Sequence, residues 1–188
     1  MLAGVSLDVA SGECIHVQGP NGSGKTTLLR NIAGLLSQEQ GTVCWGGRET
    51  RRERDTWCAQ FAYLAHSDGL KPELTARENL AFDAGIRRRV QDSEIDDALE
   101  HLGLAAAGDQ VAGALSAGQR RRLAIARVLL ASVPLWILDE PYTNLDAGGS
   151  ATVSGLIGRH LDRGGAALVA AHQPPAIPNH PPRRLELG

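Results

Sequence analysis

The sequence predicts an α/β fold: a parallel-sheet core, a small antiparallel β unit near the start, and a helical unit inserted in the middle. Three observations carry this. Apolar runs at Phe61-Ala62-Tyr63-Leu64-Ala65, Leu135-Trp136-Ile137-Leu138 and Ala166 to Ala171 read as core strands, and the first lacks the polar alternation of a half-exposed strand. A glycine-rich stretch, Gly19-Pro20-Asn21-Gly22-Ser23-Gly24-Lys25-Thr26-Thr27, lies between a strand-like run and an apolar helical stripe. Helical spacing dominates the region from about 67 to 133, between sheet strands.

Taken in order, Leu2 to Val9 alternates loosely and reads as a strand, and Ser11-Gly12 as a turn. Glu13 to Gln18 is a strand that feeds the glycine-rich stretch, after which Leu28, Leu29, Ile32, Ala33, Leu35 and Leu36 keep helical spacing. Gly41 to Trp45 is a short strand closed by Gly46-Gly47. After the Phe61–Ala65 strand, His66 to Leu74 is a loop with turn chemistry, and Thr75-Ala76-Arg77-Glu78 has capping-box spacing. From Ser93, Ile95, Ala98, Leu99 and Leu102 hold helical spacing until Gly103. Ser116-Ala117-Gly118-Gln119 opens a second capped helix, which Pro134 stops. Leu135 to Asp139 is a buried strand with acids at its tip, Ala151 to Leu161 a helix, and Ala166 to Ala171 the last core strand, ending at His172. Five of the nine prolines fall between Pro174 and Pro182, so that segment is extended, and Arg184 to Leu187 is a final edge strand.

The bulk numbers bound the function. A chain of 188 residues, 43% hydrophobic and 21% charged, makes one domain with a full core. A net charge of −2 offers no global attraction to nucleic acid or anionic lipid. The arginine runs, Arg120-Arg121-Arg122 among them, are diluted by acids and read as solvated faces. Cys14, Cys44 and Cys58 have no disulfide or metal spacing; Cys14 and Cys44 read as buried fillers, which fits a reducing cytosol. No apolar stretch reaches the 18 residues of a membrane span, and the first residues do not pattern as a signal peptide.

The chemistry starts at Gly19. Four residues separate it from Gly24-Lys25-Thr26, the spacing of a phosphate-binding loop. Glycines let successive N–H groups turn inward on phosphate oxygens, Lys25 adds a full charge, and the Thr26 hydroxyl suits Mg²⁺. The following helix aims its positive end at the same anion. Asp139 and Glu140 follow an apolar strand, and parallel sheets gather ligands at the carboxyl ends of strands. Asp139 then suits Mg²⁺ held through water, and Glu140 suits proton abstraction from an attacking water. Leu115-Ser116-Ala117-Gly118-Gln119 sets a hydroxyl and a glycine at a helix start, a plain cap that doubles as an anion site.

Together these motifs resemble an ATP-binding-cassette (ABC) ATPase. Gly19 to Thr26 is similar to its Walker A motif, Leu115 to Gln119 to its signature with Ala117 where Gly is commoner, and Leu135 to Asp139 to its Walker B motif, with Glu140 as base. Asn144-Leu145-Asp146 is similar to its D-loop and His172 to its switch histidine. The resemblance implies a P-loop NTPase with a RecA-like core (residues 1–66 and 134–188), a helical subdomain at about 67–133, and the whole of 1–188 as one nucleotide-binding domain. It implies ATP and Mg²⁺ as ligands and a homodimer with ATP sandwiched between Walker A of one copy and Ser116, Gly118, Gln119 and Asp146 of the other.

A narrower resemblance is to the ATPase of the bacterial haem exporter of cytochrome c maturation. It rests on Leu64-Ala65-His66, Gly69-Leu70-Lys71, Glu73-Leu74-Thr75-Ala76, Glu78-Asn79-Leu80, the Leu-Ser-Ala-Gly-Gln signature and His172-Gln173-Pro174. It implies an integral membrane permease partner (CcmB-like, with CcmC-like), a peripheral place on the cytoplasmic face of the inner membrane, no nucleic acid, and no haem bound by this chain. The residues themselves leave open a cassette for another cargo, or a soluble cassette outside transport.

Two departures stand out. The family's Q-loop glutamine, a Mg²⁺ contact, is Ser67 here. No residue before Leu2 supplies the aromatic that the family stacks on adenine. A start assigned too far downstream would explain the absence equally; a stack truly lost would weaken binding by about 0.5–1.5 kcal/mol, roughly three- to tenfold, and leave the phosphate contacts to hold ATP.

Overall fold

The computed structural model describes residues 4–37 and 39–188. Its core is a five-stranded parallel sheet in the order β4-β5-β6-β1-β7, formed by β1 (Cys14–Gln18), β4 (Phe61–Leu64), β5 (Leu135–Asp139), β6 (Ala166–Ala170) and β7 (Arg183–Glu186). The register sets Val17 beside Ala170 and Ala170 beside Asp139. The loop after β1 and the acids after β5 therefore leave the sheet at the same edge.

Side-chain alternation splits the strands between two apolar clusters. Trp136 and Leu138 face one side with Leu64, Ala167 and Val169. Leu135 and Ile137 face the other with Ile15, Val17 and Leu168. Burial on both faces explains why these strands read as continuous apolar runs. The second face is covered by α1 (Lys25–Ile32) through Leu28 and Leu29, and by Trp57 of α2 (Arg54–Cys58). Trp57 packs between Trp45 and Phe61 and donates its indole N–H to the Ile32 carbonyl at 3.1 Å. The first face is covered by α6 (Ala147–Asp162) and by the helical layer of α3 (Ala76–Arg87), α4 (Asp92–His101) and α5 (Ala117–Leu130).

Local chemistry sets the helix starts. Thr75 and Ser116 each accept from the backbone N–H three residues on, while Glu78 and Gln119 reach back to the Thr75 and Ser116 amides. Each reciprocal pair satisfies two donors that the helix would otherwise leave open.

Several expectations need correction. Residues 5–9 form no strand, although Leu7 and Val9 do pack on the second apolar cluster; Leu2 lies outside the described residues. The strand expected at Gly41–Trp45 shrinks to β2 (Cys44–Trp45), paired antiparallel with β3 (Arg48–Glu49). Cys44 is exposed because the two-residue strand turns its neighbour Trp45, not Cys44, onto the second apolar cluster. The helix expected from Ala151 begins at Ala147, because Asp146 caps it by accepting from the Gly149 N–H at 2.7 Å. Most consequentially, Arg121 is no solvated residue: it is 1% exposed.

Candidate functional site

The glycine-rich stretch folds as a loop from β1 into α1, and its geometry demands glycine at one point above all. A Cβ at Gly19 would sit 2.4 Å from the Leu187 carbonyl and 2.5 Å from Ser23 Oγ. Gly24 then opens α1 with a left-handed backbone (φ 97°), which non-glycine residues resist. Lys25 is 8% exposed, and its Nζ donates to the Gly19 and Pro20 carbonyls at 2.8 and 3.2 Å. Its ammonium thus lies inside the loop that its own backbone forms.

The acids arrive on β5. Asp139 is buried, and its Oδ2 has no hydrogen-bond partner among the described residues. The Tyr63 phenol is pushed up by burial, with the Asp139 carboxylate adding to the shift and Arg30 opposing it. Glu140 follows with a positive φ of 51°, a conformation that costs a non-glycine residue energy and marks a site held by its surroundings. Its amide donates to the Ala170 carbonyl at 2.8 Å. His172, after β6, brings Nε2 to 3.7 Å from Glu140 Oε1. The buried His16 steadies that arrival by donating Nε2–H to the Ala171 carbonyl at 2.8 Å.

These groups share a cavity of about 410 Å³ lined by Asn21, Gly22, Gly24, Lys25, Thr26, Thr27, His66, Asp139, Glu140 and His172. One wall is cationic and rich in N–H donors, and the other is anionic. That pairing suits a polyphosphate with a divalent cation between phosphate and carboxylate. An unpartnered buried carboxylate oxygen costs free energy unless something binds it, and Asp139 Oδ2, on the cavity that Thr26 also lines, fits Mg²⁺.

The remaining sequence candidates sit elsewhere. Ser67 is exposed and outside the lining, and its neighbour His66 faces the cavity instead. Ser116, Gly118, Gln119 and Asp146 also lie outside it, the first three in the first turn of α5 and its cap, the last as the cap of α6. Gly118 fits under the next loop so closely that a Cβ would meet the Asn144 carbonyl at 2.8 Å. A single chain therefore does not bring the signature to its own phosphate loop.

The sequence reading missed Arg121. Its Nη2 donates to the Asp139 and Glu140 carbonyls at 2.6 and 2.7 Å. Its Nη1 donates to the Ala65 carbonyl at 2.9 Å and to Asp68 Oδ1 at 3.2 Å. The signal was there: Arg121, Ala124, Ile125 and Val128 occupy one helical stripe, and all are buried.

Comparison with known proteins bears on the family and the fold. The ABC transporter family model matches residues 2–143. A cytochrome c biogenesis ATP-binding export protein, CcmA, of Xanthomonas campestris is 47% identical, across 97% of this chain and 85% of its own length. The CcmA of Methylococcus capsulatus is 44% identical, across 92% of this chain and 84% of its own length. Among solved structures, a dimeric ATP-binding cassette bound to ADP and Pi superimposes with a TM-score of 0.81 at 26% identity, covering 89% of this chain and 78% of that one.

Proposed function

The chain belongs to the ABC transporter family, and from that premise we propose that its nucleotide edge powers a separate membrane permease. It is an ATP-hydrolysing subunit of the cytochrome c biogenesis export type. The observation that supports the mechanism most is the gathering of Lys25, Thr26, Asp139, Glu140 and His172 around one cavity at the sheet edge.

Lys25 and the loop N–H groups hold the outer phosphates, and Lys25 exchanges a loop carbonyl for phosphate oxygen as it does so. Thr26 and Asp139 would hold Mg²⁺, which when bound would neutralise charge on the phosphate oxygens. Glu140 takes a proton from the attacking water, and His172 steadies the phosphate being released. Ser67 stands where the family has its metal-contacting glutamine; it is shorter and lies outside the cavity lining, so any metal contact from this position would be weakened or run through water.

Ser116, Gly118, Gln119 and Asp146 serve the site of a second copy. The dimeric ATP-binding cassette with ADP and Pi supports that arrangement by likeness. Residues of about 67–133 form the helical unit that meets a CcmB-like permease, accompanied by a CcmC-like subunit, at the cytoplasmic face of the inner membrane. Among the described residues no helix is long and apolar enough to cross a membrane. Co-expression with such a permease tests the partner: copurification in detergent, with phosphate release that rises on reconstitution, is expected. Binding only to the permease of an amino-acid or metal importer would replace the haem-export reading.

A further inference from the structure

We propose that Arg121 is a positioning residue for hydrolysis, which clamps the backbone of Glu140 in its left-handed conformation and ties that clamp to the loop carrying His66. The proposal rests on the reading of Glu140 as the base.

A guanidinium 1% exposed is an expensive thing to fold. Its two terminal nitrogens donate to the carbonyls of Asp139, Glu140 and Ala65 and to Asp68 Oδ1, its ion-pair partner, while Nε has no partner among the described residues. These acceptors belong to two separate segments that meet at the cavity. One holds the acids, and the other holds His66, which lines the same cavity. A plain core filler would not need a planar, multi-donor head reaching both.

The strain at Glu140 gives the clamp its purpose. A non-glycine residue stays at φ 51° only where its flanking groups are fixed. Ala170 fixes the Glu140 amide at 2.8 Å, and Arg121 fixes the carbonyl at 2.7 Å. Releasing the carbonyl lets the backbone relax toward negative φ and swings the carboxylate away from the water it must deprotonate. Lys25 and the phosphate loop lie on other elements, and Asp139 is also held in register beside Ala170 in the β5–β6 ladder, so most of the grip on nucleotide survives loss of the clamp. Arg127, two turns along α5, donates to the Asp68 and Gly69 carbonyls at 2.8 and 3.1 Å, so the same helix grips the loop twice.

The test is a double-mutant cycle between Arg121→Lys and Glu140→Gln, read as active-site-titrated kcat and as the Kd for a fluorescent ATP analogue with Mg²⁺. Lysine keeps the charge but cannot bond both segments at once. We expect Arg121→Lys to lower kcat by ~10–100-fold with Kd changed less than about threefold, and to add little loss in the Glu140→Gln background, because its effect passes through Glu140. A kcat within about threefold of wild type, or the same loss in both backgrounds, would overturn the proposal. If Arg121→Lys cannot be purified folded, Asp68→Asn loosens Nη1 from the more exposed side, with an expected loss on the order of threefold that again vanishes in the Glu140→Gln background. Near-normal hydrolysis by Glu140→Gln alone would instead remove the base, a distinct failure.

Discussion

Lys25→Ala offers a calculation from the structure. The ammonium is 8% exposed and donates to the Gly19 and Pro20 carbonyls. Brought to ~4 Å from a phosphate charge at an effective dielectric of ~20, it contributes about 4 kcal/mol. To do so it gives up at least one loop carbonyl, and a hydrogen bond to a charged group is worth ~1.5–3 kcal/mol. The difference, about 1–2.5 kcal/mol, corresponds to a roughly 5- to 70-fold weaker Kd for Mg·ATP. The loop also loses both internal bonds, so Tm should drop by a few degrees, about 2–4 °C per kcal/mol for a chain of this size. Titration with a fluorescent ATP analogue and a thermal melt measure both. Binding within twofold of wild type would refute the reasoning, since Lys25 would then do no more for phosphate than it does for the empty loop.

Two further outcomes follow from burial. Cys14 is buried, and burial, aided by the Glu13 charge, pushes its thiol up to about 12, whereas Cys44 and Cys58 are exposed. An alkylating reagent at neutral pH should modify two thiols in the native protein and three after denaturation. The Cys14 contribution to stability should be intact below pH 9.0 and fade as pH rises toward about 12, because the unfolded thiol ionises first. His160 stacks on Trp136 at 4.1 Å with ring planes 5° apart, and burial holds its imidazole below its ordinary value of 6.5. Its neutral form therefore stabilises the fold above pH 6.5, and that contribution is lost as pH falls through the lowered value. Melting curves between pH 7.5 and 5 should show a shallower acid slope in His160→Gln than in wild type.

What was legible in the sequence was what short-range chemistry dictates. The strand, loop and helix around Lys25 follow from glycine placement and apolar spacing, and the capping boxes at Thr75 and Ser116 follow from residue pairs three apart. The acids at the end of β5 could be assigned to the phosphate-loop edge because parallel strands share a direction, and the register agrees. What failed depended on remote partners. The alternation before Val9 found no strand to pair with among the described residues. The start of α6 was hidden by Gly148 and Gly149, poor helix formers that the Asp146 cap offsets. Arg121 was read by its charge and neighbours rather than by its helical phase, so its carbonyl partners, 18 to 56 residues away, could not be foreseen.

The most direct test measures phosphate release and nucleotide-driven dimerisation by Glu140→Gln in parallel. Turnover should drop ~10²–10⁴-fold, while Mg·ATP still binds and two copies associate more firmly than wild type, their shared nucleotides uncleaved. Hydrolysis near the wild-type rate, or a variant that cannot hold Mg·ATP, would contradict the assignment of this sheet edge.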